Sequence, residues 1–116
     1  MNQAQLAGPE LEALREIVAA SGNIVFFGGA GVSTESRIPD FRSENGLYNA
    51  VNKYGWPPET MLSHSFFLSH TAEFFRYYLG EMLFPEAWPN AAHLALAKLE
   101  RQGRLKAVIT QNIDGL

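Results

Sequence analysis

The fold of this chain is decided by residues 24–33, which read IVFFGGAGVS. The first four residues are a short apolar run rich in β-branched and aromatic side chains, which favours a strand buried on both faces of a parallel sheet. The small residues that follow lie where a strand turns into a helix, so backbone N–H groups and a helix N-terminus can face a pair of phosphates. The pattern indicates a dinucleotide site, although plain tight turns also use such glycines.

The segment after this turn departs from an ordinary dinucleotide-binding fold. Thr34 stands where a third glycine is usual, and no second strand with an acidic residue follows about 20 positions later. Instead, residues 37–58 are rich in Pro, Asn and Gly, so neither helix nor strand is expected to run far there. A loop of that length in a compact domain is usually functional.

The rest of the chain alternates helical and strand patterns. Residues 9–20 form an amphipathic helix, and residues 75–82 repeat apolar side chains at helical spacing until Pro85. Another helix opens at Pro89 and stops at Gly103, before a second buried strand at residues 106–110. This order predicts an α/β fold with a Rossmann-like, mostly parallel sheet, helices on both faces, and a helical or loop insertion after the glycine-rich turn.

Composition excludes several classes of function. The 116 residues are 47% hydrophobic, which is typical of one globular domain or part of one. The net charge is −3 and the nine Lys and Arg are scattered, so no nucleic-acid partner is expected. No apolar run approaches the roughly 20 residues of a membrane helix, so no membrane partner and a cytoplasmic location are expected. There is no cysteine, and no metal site is predicted in this stretch.

Three segments resemble the sirtuin family. Residues 29–42, GAGVSTESRIPDFR, closely resemble its signature loop, and residues 89–100 and 110–116 are also similar to sirtuin sequence in the same order and approximate spacing. Two positions depart from the pattern: Arg37 stands where many members have glycine, and Gly28 where many have threonine.

The resemblance implies that residues 1–116 are the N-terminal part of a sirtuin-type, NAD-binding catalytic domain, truncated before its end. The implied activity is NAD-dependent deacylation of an acyl-lysine protein or peptide, with NAD consumed as a co-substrate. The family's catalytic histidine and zinc-binding cysteines would lie beyond Leu116, so zinc is expected only in that missing part. Because general-base catalysis is worth about 10²–10⁴ in rate, the chain alone is expected to have negligible deacylase activity. A non-catalytic NAD or ADP-ribose-binding module, or a fragment without function, are the alternatives.

The resemblance also assigns roles to individual residues. Ala30 and Gly31 would let the NAD pyrophosphate approach the backbone, and Asn112 and Asp114 would surround the nicotinamide as the catalytic pair. The full set of predicted cofactor-binding residues is Ala30, Gly31, Ser33, Thr34, Asp40, Phe41, Arg42, Gln111, Asn112, Ile113 and Asp114.

Each role has a simpler structural alternative. The hydroxyls of Ser33 and Thr34 could cap a helix, Phe41 could anchor its loop in the core, and Asp40 and Asp114 could be turn residues. The aromatic residues between 66 and 78 are predicted to be core, although part of the cluster could border an acyl-lysine tunnel. His93, early in an amphipathic helix, is predicted to be a hydrogen-bonded structural residue rather than a catalytic base.

Overall fold

A two-stranded parallel sheet organises the computed structural model, which describes residues 8–40 and 44–116. Strand β1 is Ile24–Gly28 and strand β2 is Leu105–Thr110, with Gly28 paired to Thr110 at their carboxyl ends. The helices are α1 (Pro9–Ala20), a 3₁₀ helix (Ala30–Ser36), α2 (Glu44–Tyr54), α3 (Pro58–Met61), α4 (His64–Ser69), α5 (Thr71–Tyr77), a π-helical turn (Tyr78–Met82) and α6 (Ala91–Arg101). The predicted α/β order with parallel strands is confirmed.

Arg104 fastens α1 to the start of β2. Its guanidinium donates from Nε to the carbonyl of Ser21 at 3.0 Å and from Nη2 to the carbonyl of Val18. These carbonyls belong to the last turn of α1 and its cap, and the Val18 carbonyl also accepts from the Ser21 amide at 3.2 Å. A cation there also opposes the negative end of the helix dipole.

The strands are not buried on both faces, contrary to the prediction. The side chains of Phe27 and Val108 are 70% and 49% exposed, and in β2 only Leu105 is buried. An apolar strand becomes buried when strands flank it or helices cover both faces of the sheet. Here the sheet has two strands, and α6 packs against β2. The apolar run at residues 24–27 therefore predicted the strand correctly, but the burial of both its faces incorrectly.

A helical module fills the segment between the 3₁₀ helix and α6. The prediction that no helix runs far between residues 37 and 58 is wrong, because α2 extends for 11 residues. The low helix propensity of its Asn and Gly residues is offset by packing. Two residues of α2 enter a core whose buried members are Ala50, Tyr54, Met61, Phe66 and Tyr77.

The aromatic cluster is core only in part. Phe66 and Tyr77 are buried, while Phe75 stays 43% exposed. Tyr54 and Tyr77 meet edge to face with ring centroids 5.1 Å apart, which joins α2 to α5. Burial raises the pKa of Tyr77 to about 12, so its phenol is neutral at physiological pH.

Glu81, in the π-helical turn, holds the end of α2. Its Oε1 accepts hydrogen bonds from Lys53 Nζ and from Tyr54 Oη, both at 2.7 Å. These bonds, that from Lys53 foremost, lower the pKa of Glu81 below its ordinary value near 4.5. A carboxyl pKa lowered by folding stabilises the protein above that ordinary value, and the stabilisation is lost as the pH falls through the folded pKa.

We therefore expect Glu81→Gln to lower the free energy of unfolding by about 0.5–1 kcal/mol at pH 7, because a charge-assisted hydrogen bond becomes a neutral one and the pair is screened by water. Denaturant unfolding at pH 7 and pH 3 measures the effect, which should shrink at pH 3. The exposed carboxylate of Glu86 lies outside this cluster, so Glu86→Gln serves as the control. An equal loss at both pH values would contradict the role of the charge.

Candidate functional site

The two strands end at the same edge of the sheet, and a cleft of about 480 Å³ opens there. The 3₁₀ helix after β1 forms one wall and residues 111–114 after β2 form the other. Ligands of open parallel sheets bind outside the carboxyl ends of the strands. The cleft is lined by Gly29, Ala30, Gly31, Ser33, Ile38, Pro39, Asp40, Leu62, Met82, Gln111, Asn112, Ile113 and Asp114.

A hydrogen-bond network joins the two walls. Ser33 Oγ donates to Asp114 Oδ2 at 2.5 Å, across 81 positions of sequence. Asn112 Nδ2 donates to the Gly29 carbonyl at 2.9 Å and lies 3.3 Å from Ser33 Oγ, which it can also reach as a donor. Ser33 is 1% exposed, so water has little access to its hydroxyl. Because the acceptor is a carboxylate, the bond is charge-assisted.

Asp114 makes both the local bond of a turn residue and a bond across the cleft. Its second oxygen, Oδ1, accepts from the Leu116 amide at 3.0 Å, so both carboxylate oxygens have partners. The backbone N–H of Asn112 donates to Thr110 Oγ1 at 2.9 Å, which fixes the backbone where β2 ends. Together these bonds hold the carboxylate and the amide of this wall in one arrangement at the cleft.

The glycine-rich turn leaves open space toward the cleft. A Cβ built on Gly29 or Gly31 would meet no heavy atom within 4 Å, and neither residue has a positive φ. The backbone there does not require glycine for its conformation. What glycine provides at these positions is an unobstructed approach to the backbone, as a bound phosphate group would need.

Arg37 ends the 3₁₀ helix in the left-handed conformation, with φ 65° and ψ 23°. Its amide donates to the Thr34 carbonyl at 3.0 Å, and the Ile38 amide donates to the Ser33 carbonyl at 3.3 Å, which is the hydrogen-bond pattern of a Schellman motif. Ile38 is buried, as the apolar residue after such a motif often is. The geometry explains why glycine suits a position that this chain fills with arginine.

Arg37→Gly should raise the free energy of unfolding by about 0.5–1 kcal/mol, because a side chain in the left-handed region costs more than the added freedom of glycine in the unfolded chain. Thermal and denaturant unfolding measure the change. The control is Glu35→Gly inside the same 3₁₀ helix, which should lower stability by a similar amount. Two losses of equal size would show that Arg37 is not strained.

The structure brings most of the predicted site residues to this one cleft. Ala30, Gly31, Ser33 and Asp40 line one side, with residues 111–114 opposite. Thr34 does not line it, and its hydroxyl donates to the Gly31 carbonyl at 3.0 Å, so its cofactor role stays a prediction. Phe41 and Arg42 fall outside the described residues.

Besides Gly29 of the turn, four cleft residues lie outside the predicted set: Ile38, Pro39, Leu62 and Met82. Leu62 follows α3, and Met82 ends the π-helical turn. Only the folding of the helical module brings these two residues to the cleft. Ile38 and Pro39 lie inside the signature segment, and their position there was the one available clue.

His93 is hydrogen-bonded, as predicted. Its Nδ1 accepts from the Asn90 amide at 3.1 Å in a capping box at the start of α6. Over residues 8–40 and 44–116, no three His, Asp or Glu side chains are grouped so that they could hold a metal ion. The same residues contain no helix long and apolar enough to cross a membrane.

The parallel strands, the glycine-rich turn and the cleft at the strand ends define a Rossmann-like α/β protein. The chain belongs to the Sir2 family, whose model matches residues 29–116. This finding confirms the resemblance seen in the sequence.

Its curated relatives include NAD-dependent protein deacetylases from several bacteria. That of Clostridium acetobutylicum is 64% identical over 107 residues, which cover 92% of this chain and 44% of the relative. That of Clostridium perfringens is 57% identical and that of Staphylococcus aureus 44% identical, both over 107 residues with the same shares covered. The chain thus spans less than half the length of these relatives.

Solved Sir2 structures agree with the fold. One from work on the mechanism and regulation of Sir2 enzymes superimposes with a TM-score of 0.72 at 43% identity, covering 92% of this chain and 40% of the other. A Sir2 structure with a p53 peptide and NAD+ gives a TM-score of 0.70 at 39% identity, covering 90% and 39%. A third, bound to an acetylated peptide, gives 0.68 at 38% identity, covering 90% and 38%.

Proposed function

We propose that this chain forms the nucleotide-binding part of an NAD-dependent protein-lysine deacylase, in which nicotinamide is released and the acyl group is transferred to ADP-ribose. The observation that carries the proposal is the bond between Ser33 and Asp114, which places a carboxylate inside a cleft next to a glycine-rich turn. Family membership and the names of the bacterial relatives support the same activity.

The residues of the cleft fit NAD. The open backbone at Gly29 and Gly31, together with Ala30, can receive the pyrophosphate at the start of the 3₁₀ helix. The half-exposed Asp114 and Asn112 can accept from and donate to the carboxamide of nicotinamide, while Ile113 supplies an apolar wall. Gln111 is assigned to the ribose and Asp40 to the wall on the other side of the cleft.

In this assignment Ser33 is a support for the catalytic pair. Its hydroxyl donates to Asp114 and lies within reach of the side-chain amide of Asn112, so both side chains keep one orientation when NAD binds. A pair held in advance avoids the free-energy cost of ordering it when NAD binds. NAD supplies the leaving group and the electrophilic ribose carbon, and an acyl-lysine protein or peptide supplies the carbonyl oxygen that attacks it.

The proposal is tested on the complete protein that contains these residues. With an acetyl-lysine peptide and NAD we expect stoichiometric release of nicotinamide and formation of acetylated ADP-ribose, measured by liquid chromatography and mass spectrometry. Tight binding of ADP-ribose without turnover would instead favour the non-catalytic nucleotide-binding module. Absence of both would refute the proposal.

The 116-residue chain by itself provides a second measurement. Its three histidines are His64, His70 and His93, and His93 is engaged in the capping box. We therefore expect it to form no acetylated ADP-ribose above background, since none of these side chains lines the cleft, where a general base would be needed. Robust turnover by the purified chain would show that the general base lies within it.

A further inference from the structure

Asn90 uses its side chain in two directions at once. Oδ1 accepts from the Ala92 amide at 2.9 Å and so caps α6. Nδ2 donates to the Val32 carbonyl at 2.7 Å and to Ser36 Oγ at 3.0 Å, more than 50 positions earlier in the sequence. A single amide group therefore joins the N-terminus of α6 to the 3₁₀ helix of the glycine-rich turn.

The chemistry of the partners fixes the orientation of this amide. If it were rotated by 180°, its NH₂ would face the Ala92 N–H and its oxygen would face the Val32 carbonyl, so both contacts would become repulsive. The backbone N–H of Asn90 donates to His93 Nδ1 at 3.1 Å, which completes the capping box and fixes the backbone from which the side chain extends. Ser36 is a buried polar residue, so the bond to Asn90 also provides its hydroxyl with a partner.

Asn90 joins one wall of the cleft, the 3₁₀ helix, to α6, the helix that precedes β2 and packs against it. The 3₁₀ helix holds Ser33, and α6 leads through β2 to Asn112 and Asp114. Ser33 and Asp114 remain 2.5 Å apart only if these elements keep their separation. The β1–β2 pairing sets that separation at Gly28 and Thr110, and Asn90 sets it at a second place.

We propose that Asn90 is a positioning residue for nucleotide binding: it holds the glycine-rich turn against α6, so that the turn is already ordered when NAD enters. The inference rests on the proposed function, since it assigns NAD to this cleft. Asn90 does not line the cleft, so no direct contact with NAD is assigned to it. Its effect passes through the Val32 carbonyl and Ser36.

Variants of two residues separate this bridge from the helix cap. Asn90→Ser keeps a hydroxyl that can cap α6 and removes the amide donor. Ser36→Ala removes one of the two bridging bonds and leaves the cap intact. The matched control is Ser63→Ala, which removes the cap of α4, where Ser63 Oγ accepts from the Phe66 amide, and leaves the bridge intact.

In the complete protein, Asn90→Ser should raise the Kd for ADP-ribose and the KM for NAD about five- to tenfold, which is the effect of losing one or two hydrogen bonds. The KM for the acetyl-lysine peptide should stay unchanged, and Ser36→Ala should give a smaller shift in the same direction. Ser63→Ala should lower the Tm without changing the Kd. A Kd within twofold of wild type for Asn90→Ser, or an equal increase in Ser63→Ala, would overturn the proposal.

Hydrogen exchange tests the bridge independently of the proposed function. Amides of residues 32–38 should exchange faster in Asn90→Ser than in wild type or Ser63→Ala, with no ligand present. If wild type binds no ADP-ribose, the proposed function fails and the role in nucleotide binding fails with it, while faster exchange would still establish the bridge. Unchanged exchange together with normal ADP-ribose binding by wild type would refute the bridge alone.

Discussion

Asp114→Asn is expected to lower kcat/KM for NAD in the complete protein by about 10²- to 10³-fold, the usual effect of removing one preorganised electrostatic group from an active site. The carboxylate accepts on both oxygens, from Ser33 and from the Leu116 amide. An asparagine has one acceptor oxygen, so its NH₂ must face one of these two partners. The substitution also removes the negative charge that would favour positive charge developing on the ribose as nicotinamide leaves.

Steady-state kinetics with varied NAD measure this effect, and thermal unfolding shows whether the variant is folded. The matched control is Glu35→Gln, which removes a carboxylate from an exposed position of the adjacent 3₁₀ helix, outside the cleft. We expect the control to change kcat/KM less than twofold. A change of similar size in both variants would mean that net charge near the turn matters and that the Ser33–Asp114 bond does not.

Gly31→Val is expected to weaken ADP-ribose binding at least about 100-fold while the protein remains folded. A Cβ at Gly31 meets no heavy atom within 4 Å beyond its chain neighbours and its own helix backbone, and φ is not positive, so the backbone accepts a β-carbon there. The added atoms occupy the cleft where the backbone would otherwise approach the pyrophosphate. Loss of a close phosphate contact and steric exclusion together correspond to about 3 kcal/mol or more.

Isothermal titration with ADP-ribose and a thermal unfolding curve test both halves of this expectation. Gly22→Val is the matched control, because a Cβ at Gly22 also meets nothing within 4 Å and Gly22 lies between α1 and β1, away from the cleft. The control should bind ADP-ribose normally. Unfolding of Gly31→Val would contradict the geometry. Normal binding of ADP-ribose would show that the pyrophosphate does not bind at this turn.

Much of the architecture follows from local sequence. The β-branched and aromatic run at residues 24–27 is a strand, the apolar spacing after Asn90 is a helix, and Gly103 ends that region with a positive φ of 71°. These features depend on propensity, capping and backbone conformation within a few residues, so a sequence pattern is sufficient to predict them. The glycines of the turn likewise predict a binding cleft at the end of β1.

Other features required the folded chain. Helix α2 forms in a segment whose residues are typical of a loop, because Ala50 and Tyr54 gain burial against α3, α4 and α5. The local pattern alone did not give the exposure of Phe27 and Val108, since an apolar run does not reveal what covers it. The predicted roles of Phe41 and Arg42 stay predictions.

By itself, the sequence determined the strand–turn–helix order and the family, and it predicted most of the residues that line the cleft. Only the tertiary structure decided that Ser33 bonds to Asp114 across 81 positions, that Asn90 joins α6 to the glycine-rich turn, and that Leu62 and Met82 line the same cleft. The reason is physical: hydrogen-bond geometry between distant residues depends on how helices pack on the sheet, and that packing is a property of the whole core.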